Sequence, residues 1–162
     1  MTPSERSFLT AVIRFQTLLH AGARASDPEF YHLRRFLGSD APDAIREADE
    51  RRTYRRFEAQ VPGVVRHGAR STPCTVVDLG GGGLRIALPQ PLGVFLGTAL
   101  LLSVQTRPGQ ERVDLAVEVR CIGPQGTWLG CEFTGAPLTL RQSSVAPRLD
   151  AHAKTRELRA AA

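Results

Sequence analysis

Apolar positions follow two regimes along this chain: helical spacing in the first third, then short runs of strand length. Phe8, Val12, Phe15 and Leu19 recur at intervals of four and three, with Leu9 and Ile13 widening the stripe. That spacing predicts an amphipathic helix, capped by Ser4 and ended by Gly22. Asp27-Pro28 supplies a cap and a first-turn proline for a second helix, in which Phe30, Leu33 and Leu37 share a face until Gly38. A third short helix is expected from Ser39 or Asp40 to about Glu47. The simplest use of these apolar faces is to pack on one another and on the body of the protein. Any part left exposed would offer a dimerisation or partner-docking surface.

From Asp49 to Gln60 the texture becomes charged, with Arg51, Arg52, Arg55 and Arg56 interleaved with Tyr54 and Phe57, and reads as a linker entering a domain. Beyond it the apolar runs are short, at about 61–67, 74–79, 84–88, 98–106, 113–123 and 127–134. Pro73, Pro89-Gln90-Pro91, Arg107-Pro108-Gly109 and Pro124-Gln125-Gly126 punctuate them. Val113, Leu115, Val117 and Val119 alternate with Asp114, Ala116, Glu118 and Arg120, the two-residue period of a strand with one face inward. Six antiparallel strands at this spacing predict a closed or nearly closed barrel. After Pro137 the apolar spacing is irregular, and Leu149 to Ala161 reads as a polar, basic helix. The expected division is a helical segment over 1–48, a β-domain with its arginine-rich linker over 49–137, and a helical tail over 138–162.

A length of 162 residues fits one core. The net charge of +5 comes almost wholly from arginine, since Lys154 is the only lysine. Arginine suits phosphate and guanine, but an Ala/Gly/Arg-rich, lysine-poor composition is also what a GC-rich genome produces, so charge alone does not choose a partner. Cys74, Cys121 and Cys131 lie in apolar runs without Cys-x-x-Cys spacing and read as buried free thiols. Arg6 and Arg14 interrupt the first apolar stretch, and no run approaches the roughly 18 residues of a membrane span, so a cytoplasmic protein is expected.

The candidate chemistry sits in two segments. Four glycines, Gly80 to Gly83, join the β-prone runs Cys74–Val77 and Leu84–Leu88; they predict a turn free to take positive φ and to approach a ligand closely, with Asp78 at its edge. Upstream, Arg52 and Arg56 stand four apart, two guanidinium forks of the kind that grip phosphate oxygens or a guanine edge. The glycine run lacks the Gly-Lys-Ser/Thr ending of a phosphate-binding P-loop and opens a strand, which argues against a nucleotide hydrolase. His20, His32, His67 and His152 show no metal spacing, and no nucleophile elbow or Cys/His signature is present, so a non-enzyme is expected without cofactor or metal. Nucleic-acid binding is disfavoured, because Tyr54 and Phe57 do not make a stacking platform by themselves.

Together, Arg52-Thr53-Tyr54-Arg55-Arg56, Asp78-Leu79-Gly80-Gly81-Gly82-Gly83 and Leu129-Gly130-Cys131-Glu132-Phe133 resemble the PilZ domain family over roughly residues 49 to 137. Many members bind bacterial cyclic di-GMP through an Arg-x-x-x-Arg loop and an Asp/Asn-x-Ser-x-x-Gly turn. The resemblance implies a six-stranded antiparallel β-barrel, here with an N-terminal helical segment and a C-terminal helix, acting as a cyclic di-GMP receptor or effector. By the same resemblance Asp78 would accept hydrogen bonds from guanine, and Arg52 and Arg56 would contact guanine and phosphate. Gly83 would let the turn approach, and Arg51 would add a phosphate contact. Gly80 stands where the family has serine, a loss of one hydroxyl bond worth roughly 0.5–1.5 kcal/mol. The implied mechanism has ligand ordering the arginine-rich linker on the barrel and changing a surface read by a protein partner, through the N-terminal helices or a homodimer. The alternative is a PilZ-like adaptor that has lost the ligand.

Overall fold

A computed structural model of the chain describes residues 1–38, 54–107, 109 and 111–140, with Leu140 described in its backbone alone. The third helix and the C-terminal helix expected from the sequence, together with Arg51 and Arg52, lie outside the described residues.

Helix α1 spans Pro3–His20 and α2 spans Pro28–Leu37. Thr2, not Ser4, caps α1: its side chain accepts from the Glu5 amide while the Glu5 carboxylate accepts from the Thr2 amide, a reciprocal pair that satisfies two orphan donors. Asp27 caps α2 by accepting from the Phe30 amide, as its Asp-Pro opening predicts. The inward stripe of α1 is Phe8, Leu9, Val12, Phe15 and Gln16. Leu19, which belongs to the expected stripe, is 41% exposed, because Gln16 is turned inward in its place.

The strands are β1 Arg56–His67, β2 Arg70–Gly80, β3 Gly83–Ala87, β4 Ala99–Gln105, β5 Arg112–Ile122, β6 Trp128–Phe133 and β7 Leu138–Leu140. Their order is β4-β1-β2-β3-β6-β5-β7, and pairing of β4 with β5 closes the first six into an antiparallel barrel. Closure removes the open sheet edges that would otherwise template aggregation. Strand β7 is an addition on Arg112–Asp114 of β5, in a stretch whose apolar spacing carries no strand period. The segment read as a linker ends earlier than expected, since Arg56 to Gln60 already belong to β1.

Helices and barrel share one hydrophobic cluster, from Phe8 and Phe15 to Val65, Ile86, Leu102 and Val119. Burying each large apolar side chain is worth roughly 1.5–3 kcal/mol, so the inward stripe of α1 outweighs any single polar contact in seating the helix. Phe8 stacks on Phe57 at 4.8 Å, and the Gln60 amide donates to Glu5, tying both ends of the first turns to β1. On the barrel exterior, Arg66 and the Ser103 hydroxyl both bond Asp114, so the one carboxylate of the alternating strand that is buried is also paired.

Two β-bulges decide which side chains face out. Cys74 and Val76 point inward, and strict alternation would send Asp78 inward too. The register shift between Val76 and Asp78 turns Leu79 into the core and Asp78 to the exterior. Likewise Val113, Leu115, Val117 and Val119 are buried, and the shift between Val119 and Cys121 exposes Cys121. The expectation of three buried thiols is therefore corrected at Cys121, while Cys74 and Cys131 are buried and free. Burial pushes those two thiols up to about 11 and about 12, which keeps them neutral and unreactive.

Candidate functional site

Strand geometry brings the candidate residues Arg56, Asp78, Gly80 and Gly83 to one patch of the barrel exterior. Arg56 lies opposite Gly80 at the start of β1, and Asp78 lies opposite Arg85 between β2 and β3. Alternation then sorts the two adjacent arginines. Arg56 faces the patch and donates to Asp78 Oδ2 at 2.9 Å. Arg55 turns the other way, with its guanidinium 4.6 Å from the Phe36 ring and 5.7 Å from Phe8, where it helps pin the helices.

The patch opens on a depression of about 450 Å³ lined by Tyr54, Arg56, Gly80, Gly83, Gly130 and Arg120, among others. Its floor is glycine because outward positions on three neighbouring strands carry no side chain. The glycine turn itself differs from its expectation, since none of Gly80 to Gly83 takes a positive φ. Close approach within the chain explains the glycines instead. A Cβ on Gly81 would sit 2.6 Å from the Tyr54 ring, and one on Gly83 would sit 2.2 Å from the Cys131 carbonyl oxygen.

The turn is also fastened to the first helix. Gln16, 3% exposed, donates from Nε2 to the Gly81 carbonyl, and Phe15 meets the Tyr54 ring edge-on at 5.6 Å. Tyr54 thus lies between α1 and the glycine turn, directly after the arginine-rich segment. It also forms a β-bridge with Gly38 at the end of α2, beside a hydrogen bond that the Arg55 amide donates to the Leu37 carbonyl.

Two arginines that sequence reading missed complete the patch. Arg85 lies 3.7 Å from Asp78 Oδ2 and 4.8 Å from the centre of the Trp128 ring. Arg120 bonds both Glu132 at 2.7 Å and Glu118 at 3.0 Å. The alternation of Leu84-Arg85-Ile86 places Arg85 outward, but only the bulge at Asp78 puts the two on one face. The arginines Arg56, Arg85 and Arg120 are matched by the carboxylates Asp78, Glu118 and Glu132, and Glu58 stands opposite Asp78 on β1, so the described part of the patch carries no excess of positive charge.

The PilZ domain family model matches residues 50–146, more than half of the 162-residue chain, and the chain belongs to this family. The family comprises cyclic di-GMP receptors and effectors, regulatory binding domains rather than catalysts. A solved structure, the Bacillus subtilis inhibitor of motility (MotI/DgrA), is similar at 19% identity and a TM-score of 0.43, covering 53% of this chain and 44% of that one. The chain therefore spans less than half of that structure's length. No curated protein matches the chain. Among the described residues no helix is long and apolar enough to cross a membrane.

Proposed function

We propose that this protein is a cyclic di-GMP-binding regulatory protein, a cytoplasmic non-enzyme needing no cofactor or metal, whose ligand orders the segment around Arg51 and Arg52 on the barrel and alters a partner-binding surface. The observation that carries this reading is the contact of Arg56 with Asp78, one residue from each family motif, at the mouth of a glycine-floored depression. The donor set fits a guanine-bearing phosphodiester: guanidiniums suit phosphate oxygens and the guanine Hoogsteen edge, and a carboxylate accepts from guanine N–H groups. Since the described arginines are matched by carboxylates, the net attraction for a dianion falls to Arg51 and Arg52. In this reading residues 1–48 are the output element and 49–137 the sensor, with 138–162 a tail. The contact of Gln16 and Tyr54 with the glycine turn supplies the route between them. Leu19, Tyr31 and Phe36, each about half exposed on the helices, supply apolar area for a protein partner or a second copy.

Titration calorimetry tests the reading. Cyclic di-GMP is expected to bind more tightly than GTP or linear pGpG, and Arg52→Ala to weaken it by roughly 1.5–3 kcal/mol, the worth of a charge-assisted hydrogen bond. A second reading, an adaptor that has lost the ligand, is favoured by Gly80, which carries no hydroxyl where the family has one. No heat at high micromolar cyclic di-GMP would select it.

A further inference from the structure

Arg56 and Arg85 address the same oxygen, Asp78 Oδ2, from β1 and β3 on either side. Arg56 holds it at hydrogen-bond distance, whereas Arg85 waits about an ångström outside the charge-assisted range. Three features keep Arg85 ready. Its guanidinium rests on the Trp128 ring, which packs so closely on the Gly123 backbone that a Cβ there would lie 2.0 Å from the indole. Its strand neighbour on the far side is Gly130, which has no side chain to compete for it. Its Nε is buried without a partner among the described residues, so the group has donor capacity to spend. Asp78 also needs a cation at all times, because its side chain is only 16% exposed and Glu58, another carboxylate, lies directly opposite on β1.

We propose that Arg85 is the standby partner of Asp78, a positioning residue that takes over Oδ2 when Arg56 lets go. This role rests on the cyclic di-GMP reading of the site: Arg56 cannot grip a ligand phosphate while both motifs are spent on each other. The hand-over lets the Arg56–Asp78 bond open without leaving a half-buried carboxylate beside Glu58 uncompensated. It also keeps Asp78 aimed while Arg56 turns to the ligand. The motion required of Arg85 is small, a slide along the indole face.

The hand-over is testable without ligand, through melting temperatures of Arg56→Ala, Arg85→Ala and the double variant, read with the emission of Trp128, the sole tryptophan. Each single variant keeps one cation on Asp78, so the double variant is expected to melt about 2–4 °C below the sum of the single shifts. Arg56→Ala is expected to shift Trp128 emission as Arg85 moves. Arg85→Lys in the Arg56→Ala background is expected to restore much of the loss, which a merely steric role would not do. Additive melting shifts with unchanged Trp128 emission in Arg56→Ala would overturn the proposal. In a parallel titration Arg85→Ala is expected to weaken cyclic di-GMP about tenfold. Wild-type protein that binds nothing would remove the functional reading alone, because the ligand-free cycle decides on Arg85 by itself.

Discussion

At Gly80 to Gly83 an added Cβ would meet the Arg55 carbonyl at the first position, the Tyr54 ring at the next two and the Cys131 carbonyl at the last, and the consequences differ accordingly. Gly83 faces a backbone carbonyl 2.2 Å away on the paired strand, which no rotamer change relieves. Gly83→Ala is therefore expected to prise β3 from β6 and cost on the order of 1–3 kcal/mol, the range of overpacking, read as a lower melting temperature. Gly80 meets the Arg55 carbonyl oxygen at 3.1 Å, tight but within a few tenths of an ångström of ordinary contact, and its φ lies outside the left-handed region. Gly80→Ser should thus cost little stability and, by restoring a hydroxyl worth roughly 0.5–1.5 kcal/mol, tighten cyclic di-GMP by up to about tenfold. A well-folded Gly80→Ser protein that binds no better would count against the patch as the ligand site. The sequence exposes Arg56 and Asp78 through motif spacing, but not Arg85 or Arg120, since their relevance depends on which strands are neighbours. It also suggests a ligand-facing turn where the glycines are first of all cut to fit Tyr54 and Cys131.

Helix α1 is attached by both apolar and electrostatic contacts. Thr2 to Glu5 forms a capping box, and Glu5 further accepts from the Gln60 amide of β1. The hydrogen bond from the Thr2 backbone, joined by that from Gln60, holds the Glu5 carboxyl below its ordinary value of 4.5, and Arg14 does the same for Glu29 between α1 and α2. A depressed carboxylate pKa stabilises the fold above the unfolded value and ceases to do so as pH falls through the folded one. Melting temperature is therefore expected to hold from neutral pH to about 4.5 and to fall below it, with Glu5→Gln and Glu29→Gln each flattening the fall. A curve of unchanged shape in both variants would assign the acid limb to other carboxylates. The capping box is legible as Thr2-Pro3-Ser4-Glu5, and choosing Ser4 misses it by two residues. The start of β1 is harder, because Arg56, Glu58 and Gln60 are outward residues of a period-two strand whose charge makes it look like a linker.

Over the whole molecule, the alternation of short apolar runs makes the barrel legible, whereas the bulges that aim Asp78 and Cys121 outward leave no mark in composition. What the apolar pattern of α1 leaves open is where that helix docks, and the shared cluster answers it: Phe15 is fully buried in a cluster that includes the barrel strands, stacks on Phe30 of α2 and touches Tyr54 over the glycine turn. Helix and sensor turn are then one cooperative unit rather than two modules on a tether. Helical circular dichroism and Trp128 fluorescence, which report α1 and the barrel wall separately, are expected to give coincident denaturant transitions. Phe15→Ala, costing roughly 3–5 kcal/mol as large aromatic truncations do, should move both by the same amount. An earlier helical transition with Trp128 unmoved would detach the helices from the barrel. The route from the glycine turn through Tyr54 to α1 would then carry no signal, even if ligand bound as proposed.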